Sequence, residues 1–451
     1  MTIKNGSFFQ RQALQVDPGS IEVILARALE SADPYNLVKQ HILLSNAGVC
    51  IGGTPYNSTK RVMLVAMGKA SVAMAQAAVD QIGKQLQRGI CVCKAFPEPL
   101  PDWKNIQLIR GSHPLPDERS MRAGKAIRAC VGGLSANDLV LVMISGGASA
   151  LVVSPVEGIS LDDLQQANQL LLLSGATINE MNAVRKHLEQ LKGGGLLRAV
   201  SPGKVEALLL SDVIGDDSSV IASGPTVADP TTYAQVLETL EKYQLNEKLP
   251  KAVLAHFRAG VSGKAAETVK PGNELLGNVH NHIIGSNSLS VDAALAEATN
   301  QGLRGVCVSR GMVGEANEVA GWFLDRCVKL AAENTDPFMA VAGGETTVIV
   351  HGKGKGGRNL ELALAGVRRL SADEKGVLLT LATDGEDGPT DAAGAIVTAD
   401  TMKRAQRLGL DPDQFLQNND AYTFFERVGG LIQTGPTGTN VNDLTFYFRL
   451  P

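Results

Sequence analysis

Eight short apolar runs, separated by stretches with helical periodicity, constrain this chain more than any other feature. They are VMLVA from Val62, LVLVMI from Leu139, VEALLL from Val205, HIIGS from His282, VCVS from Val306, FMAVA from Phe338, TTVIV from Thr346 and VLLTLA from Val377. Most are continuous rather than alternating, as strands covered on both faces are. Between them, Val72, Ala75, Val79 and Ile82 recur at helical steps. Thr177 with Glu180, and Ser160 with Asp163, have capping-box spacing before further apolar periodicity, and Gly193 marks the expected stop of the second helix. Strands alternating with helices predict an α/β fold of two Rossmann-like domains, with mostly parallel sheets and sites at the strands' carboxyl ends.

The 451 residues suffice for about two such domains. The polar stretch RAGVSGKAAETVKPGNELLGN, 258–278, has the composition of a linker, so the expected division is 1–257, a linker at 258–278, and 279–451. A net charge of -4 argues against nucleic acid or a membrane surface as partner, since both need a basic face. The six cysteines are scattered without metal or redox spacing and are expected to be reduced. The N-terminal MTIKNGSFFQRQ lacks a signal-peptide core and no run has the length of a membrane span, which predicts a cytoplasmic protein. Oligomeric state is left open.

The chemistry gathers in loops that follow the apolar runs. Ser145, Gly146, Gly147, Ala148 and Ser149 come directly after LVLVMI, where successive backbone N–H groups can turn toward an anion; a tight turn without ligand is the alternative. Lys69 stands where a helix begins and gains nothing from the helix dipole, so a nearby anion explains it better than local helix stability; a solvated surface lysine is the alternative. Asp212, Asp216 and Asp217 follow VEALLL, and Asp384, Glu386, Asp387 and Asp391 follow VLLTLA. Such carboxylates repel one another unless water, a cation or basic groups intervene, which makes magnesium the natural candidate and Asp216, Asp384 and Asp387 its candidate ligands. His113, beside two prolines in the loop GSHPLPDERS, is either a loop anchor or a substrate contact.

HGKGKGGRN raises a different question. Gly352, Gly354 and Gly357 fit the G-x-G-x-x-G of a dinucleotide turn, yet Lys353, Lys355, Arg358 and Asn359 suit a clamp on phosphate oxygens. The acid that should hold a ribose lies about 20 residues onward, whereas Asp384 sits 27 residues past Gly357. A ribbon with an exposed basic tip is the third alternative. No Ser-His-Asp set or zinc spacing is found.

These segments, with SHPLPDE, GATINEMNAVRKHLEQLKGGGL, IASGPTV, NNDAYTFF and TGPTGTNVND, resemble the class II glycerate kinases, glycerate 2-kinases with a C-terminal MOFRL domain. The matching segments run in family order from about residue 66 to residue 443. Leu360 stands where the family usually has glutamine, and Ala148 where a third glycine is common. The resemblance implies ATP- and magnesium-dependent phosphorylation of D-glycerate at its 2-hydroxyl, carried out by two α/β domains across a cleft. It implies Lys69, Asp212 and Arg358 as catalytic groups, with Ser145 to Ser149, Lys353, Lys355 and Asn359 binding substrate or nucleotide. The rival is a nicotinamide-dependent hydroxypyruvate or tartronate-semialdehyde reductase; a regulatory nucleotide-binding protein is the non-catalytic alternative.

Overall fold

The computed structural model describes residues 18–45, 48–57, 59, 61–333 and 336–450. The chain divides into two units. Of the described residues, 34–211 and 216–284 form an N-terminal unit, and 18–33, 212–215 and 285–450 a C-terminal one.

In the N-terminal unit a small antiparallel sheet, β1 (Ile42–Ser45), β2 (Gly48–Ile51) and β3 (Thr54–Tyr56), precedes a six-stranded one. The latter holds β4 (Arg61–Met67), β5 (Leu86–Cys93), β6 (Ile106–Arg110), β7 (Asp138–Ile144), β8 (Lys204–Leu210) and β9 (Val279–Gly285) in the order β6-β5-β4-β7-β8-β9. β4 is parallel to β5 and β7, β5 to β6, and β7 to β8, as continuous apolar runs predict. All seven residues of β7 are buried. The helix after β4, Ser71–Ile82, buries Met74, Ala75, Ala78 and Ile82, while Val72 and Val79 of the expected stripe lie at its margin.

Both predicted capping boxes are present, Ser160 with Asp163 before Leu161–Leu173 and Thr177 with Glu180 before Ile178–His187. The second helix ends at His187 with Leu188 as its C-cap, well short of Gly193.

The C-terminal unit carries β10 (Arg304–Glu315), β11 (Phe338–Thr347), β12 (Gly376–Ala382), β13 (Gly394–Thr398), β14 (Leu431–Ile432) and β15 (Asp443–Arg449), ordered β10-β11-β15-β12-β13-β14. Here the expectation of a mostly parallel sheet fails. Only β10 and β11 run parallel; β15, arriving last in the chain, inserts between β11 and β12 and opposes both, and β13 opposes β12. β15 alternates its side chains between two cores, Leu444, Phe446 and Phe448 into one and Tyr447 into the other. TTVIV is not a strand of its own: Thr346 and Thr347 end β11, and Val348–Val350 leave the sheet, with Ile349 and Val350 exposed.

The expected domain boundaries change in two places. Helix Pro18–Glu30 lays Ile21, Ile24, Leu25, Ala28 and Leu29 against Val291, Met339 and Phe446, so it belongs to the C-terminal unit. The expected linker is built into the N-terminal unit: Val269 is fully buried, donates its N–H to Gly193 O at 3.0 Å and accepts from Asp229 N at 2.7 Å. Its polar composition conceals those backbone ties.

All six cysteines are free thiols, four of them buried. Among the described residues no helix is long and apolar enough to cross a membrane.

Candidate active site

The N-terminal sheet is laid down outward from its middle: the chain runs β4, β5, β6 to one side, returns, and runs β7, β8, β9 to the other. β4 and β7 therefore flank the switch point, where the loops after adjacent strands diverge and leave a crevice at their carboxyl ends. The loop after β4 carries Gly68 and Lys69, and the loop after β7 carries Ser145 to Ser149. Four hydrogen bonds lace the two loops to the strand ends and to each other. Lys69 N–H donates to Gly146 O at 2.9 Å, Ser145 N–H to Met67 O at 3.0 Å, Ala70 N–H to Ser145 Oγ at 3.0 Å, and Gly68 N–H to Val92 O at 3.2 Å.

With Ser145 so used, the next four N–H groups differ from it. Among the described residues, none of the N–H groups of Gly146, Gly147, Ala148 and Ser149 has a protein acceptor. Gly147 has φ +83° and caps the short helix Ala148–Leu151, a left-handed conformation that turns the backbone into a concave nest. A Cβ at Gly147 would also lie 3.0 Å from His113 Cδ2 and 3.5 Å from Lys69 Cγ, so the lysine and the imidazole border the nest. Lys69 is exposed at its tip. Burial, then the charges of Lys69 and Lys94, hold the His113 pKa below its usual value, which keeps the ring neutral where it could otherwise compete for an anion. Ser149 Oγ lies 2.9 Å from Ser223 Oγ, which in turn donates to Asn182 Oδ1 at 3.4 Å. Ser223 and Asn182 lie in matching segments to which no role had been attached.

The C-terminal unit presents a second polar cluster, and it corrects several expectations. The N–H groups of His351 and Gly352 donate to Asn419 Oδ1 at 2.8 and 2.9 Å, that of Lys353 to Asn418 Oδ1 at 3.2 Å, and that of Lys355 to Asp420 Oδ1 at 2.9 Å. The glycine-rich loop is thus closed by Asn418–Asp420, not open toward a pyrophosphate. Lys355 lies over the Tyr422 ring, its Nζ 3.9 Å from the centroid, and Lys353 is exposed.

Helix Arg358–Leu370 follows, and the anion at its N-terminus is a side chain. Asp387 takes Asn359 N–H at 3.0 Å, Leu360 N–H at 2.8 Å and Asn359 Nδ2 at 3.2 Å. A dinucleotide phosphate would need that position. Asp387, expected as a metal ligand, is here the cap of this helix, and the Asn359 side chain, expected to bind ligand, is turned to it. Burial, opposed by those hydrogen bonds, pushes the Asp387 pKa up to about 6.

Arg358 does not offer a free fork either. Its Nε and Nη2 grip Asp443 at 2.5 and 3.1 Å, and its Nη1 meets Glu345 at 2.7 Å. Burial opposes its charge, but Asp443 and Glu345 hold its pKa above the ordinary arginine value. One cation between two carboxylates leaves this cluster net negative, so it does not by itself attract a phosphate.

Asp384 is half-buried and accepts from Glu386 N–H at 3.2 Å. Asp212 accepts Asn442 Nδ2 on its carbonyl at 2.9 Å, within the C-terminal unit. Asp216 adopts φ +58° and is half-buried. No group of three His, Cys, Asp or Glu side chains among the described residues is arranged to hold a metal, so the acidic loops do not make a protein-only cage.

An α/β unit with strands in this order, an open N–H nest at the switch point and a lysine at its rim defines a protein that handles small anionic or phosphorylated ligands. Comparison with known families agrees. Residues 20–258 match the model described as Domain of unknown function (DUF4147), and residues 338–443 match the MOFRL family. A glycerate 2-kinase of Pyrococcus horikoshii is 41% identical over 427 residues, covering 93% of this chain and 94% of that one. The crystal structure of a glycerate kinase from Thermotoga maritima superposes with a TM-score of 0.84 at 38% identity, over 95% of this chain and 98% of that one. A protein of Agrobacterium vitis, named provisionally as a hydroxypyruvate reductase, is 40% identical over 93% of this chain and 92% of its own. The chain belongs to the glycerate 2-kinase family with a C-terminal MOFRL domain.

Proposed function

We propose that this protein transfers the γ-phosphoryl group of ATP to the 2-hydroxyl of D-glycerate, giving 2-phosphoglycerate and ADP. One observation carries the reading: four successive N–H groups, Gly146 to Ser149, without a partner among the described residues, at the switch point of a parallel sheet with Lys69 at the rim. Phosphoryl transfer needs little covalent help. The hydroxyl oxygen bonds to the γ-phosphorus as the bond to the bridging oxygen breaks, and catalysis is mostly positioning and neutralisation of charge. A nest of N–H groups set in place beforehand supplies both without reorganising during the reaction. Lys69 neutralises the phosphoryl oxygens. Arg358 acts as a positioning residue, holding Glu345 and Asp443 in place. Magnesium, when bound, would supply charge neutralisation of the phosphate, and the half-buried Asp384 is a carboxylate that would hold it, since among the described residues the acidic loops form no closed cage.

The test supplies purified protein with D-glycerate, ATP and Mg²⁺ and couples the product to enolase without a mutase; in parallel, hydroxypyruvate is supplied with NADH or NADPH. Signal from the enolase couple alone is expected. Nicotinamide oxidation without ADP formation would sink the kinase reading, and a product needing mutase would identify 3-phosphoglycerate instead.

A further inference from the structure

A cavity of about 120 Å³ opens beside the switch-point nest, within the N-terminal unit. Its walls mix apolar and polar surface, Pro114 and Leu172 among the apolar residues and Ser149, Asn168, Arg185 and Lys192 among the polar ones. Arg185 is half-buried, and its Nε donates to Asn168 Oδ1 at 2.8 Å. That partner is neutral. No carboxylate among the described residues pairs with Arg185, although the next two buried cations along the chain each have one: Lys186 with Asp229 at 3.4 Å and Lys192 with Glu189 at 2.6 Å. Withdrawing a guanidinium from water without a counter-charge costs several kcal/mol. Burial accordingly draws the Arg185 pKa down.

The helix that carries Arg185 also ties the cavity to the nest. Asn182, one turn earlier on the same face of Ile178–His187, receives the Ser223 hydroxyl that contacts Ser149. Arg185 is thereby set against the reacting loop by the same rigid element. With Nε held by Asn168, the terminal nitrogens remain for a planar anion, the geometry in which arginine grips a carboxylate. The volume suits a three-carbon acid and falls short of the 300 Å³ or more, roughly, of sites that enclose nucleotide-sized ligands.

We propose that Arg185 anchors the carboxylate of the hydroxy-acid substrate in this cavity, leaving the N–H nest of Gly146–Ser149 to the phosphoryl oxygens. The proposal rests on the kinase reading for the identity of the acid.

Calorimetric titration of D-glycerate in the presence of Mg²⁺ and a non-hydrolysable ATP analogue tests it on wild type, Arg185→Gln and Arg185→Lys, with titration of the analogue alone in parallel. Arg185→Gln should weaken D-glycerate by roughly 10²-fold while leaving the analogue's affinity within about threefold, and Arg185→Lys, which keeps charge without the fork, should fall between. Undiminished D-glycerate affinity in either variant overturns the assignment, as does an equal loss for the nucleotide analogue. Should Arg185→Gln fail to fold, by its circular dichroism, Arg185→Lys decides alone on the same criterion. Because binding rather than turnover is read, a wild type that binds D-glycerate without phosphorylating it ends the kinase reading while Arg185 is still judged by the same comparison. A wild type that does not bind D-glycerate overturns both.

Discussion

Lys69 and Arg358 were equally prominent as cations in the sequence, and their surroundings assign them opposite sensitivities. Lys69 is exposed beside the nest of N–H groups, so Lys69→Ala should lower kcat by on the order of 10²-fold with the melting temperature nearly unchanged; steady-state kinetics alongside thermal unfolding checks this. Arg358 is locked to buried Asp443, and its removal strands a carboxylate away from water. Arg358→Ala should therefore cost about 3–5 kcal/mol of stability, measured by urea unfolding, and its activity is interpretable only at temperatures where the variant stays folded.

Asp387 couples stability to pH. Its pKa in the fold is raised to about 6, so the fold favours its protonated form. The stability this contributes is complete below the ordinary aspartate pKa and is lost as pH rises through about 6. Between pH 4 and 6.5 the unfolding free energy of the wild type should fall relative to that of Asp387→Asn, by on the order of 2–3 kcal/mol; an equal slope in both proteins would refute the assignment.

At the scale of elements, what was legible follows from how local each signal is. Capping boxes depend on residues three apart, and Thr177 with Glu180 and Ser160 with Asp163 form as their spacing predicts. Thr177→Ala should cost about 1 kcal/mol in denaturant unfolding and weaken D-glycerate binding little, because Glu180 also holds Lys242 at 2.7 Å and Tyr243 at 2.9 Å and keeps the helix seated.

Buried parallel strands are visible as continuous apolar runs, so β4, β7 and β8, and the loops after β4 and β7, were found directly. Strand direction is not local, and nothing in DLTFYFR says that the last strand will wedge between β11 and β12 against both. Partnership across long separations is equally hidden. Arg358 was legible as a candidate, but Asp443, 85 residues on, was not legible as its counter-ion, nor was the Asn418–Asp420 segment as the closure of the GKGKGG loop. The glycine spacing of that loop therefore matched a dinucleotide turn while the N–H groups of residues 351–355 were already committed.

For the whole molecule, the most consequential departure from sequence order is that a unit built largely from residues beyond 284 also takes in the described residues 18–33. Helix Pro18–Glu30 repeats apolar residues at positions 21, 24, 25, 28 and 29, a stripe that packs beside helix Asn287–Asn300 into one core of the C-terminal unit. Leu25 is fully buried there, in the same core as Met339, Val341 and Phe446. Leu25→Ala should destabilise by about 2–5 kcal/mol, the cost of a buried leucine replaced without refilling its volume. The location of the effect is the sharper test. If the helix is an integral part of the C-terminal core, hydrogen exchange should accelerate in β11, β12 and β15, which share that core, while β4 and β7, with no residue in it, keep wild-type protection. Acceleration in β4 and β7 with β11 and β15 unaffected would instead assign the helix to the unit that follows it in sequence.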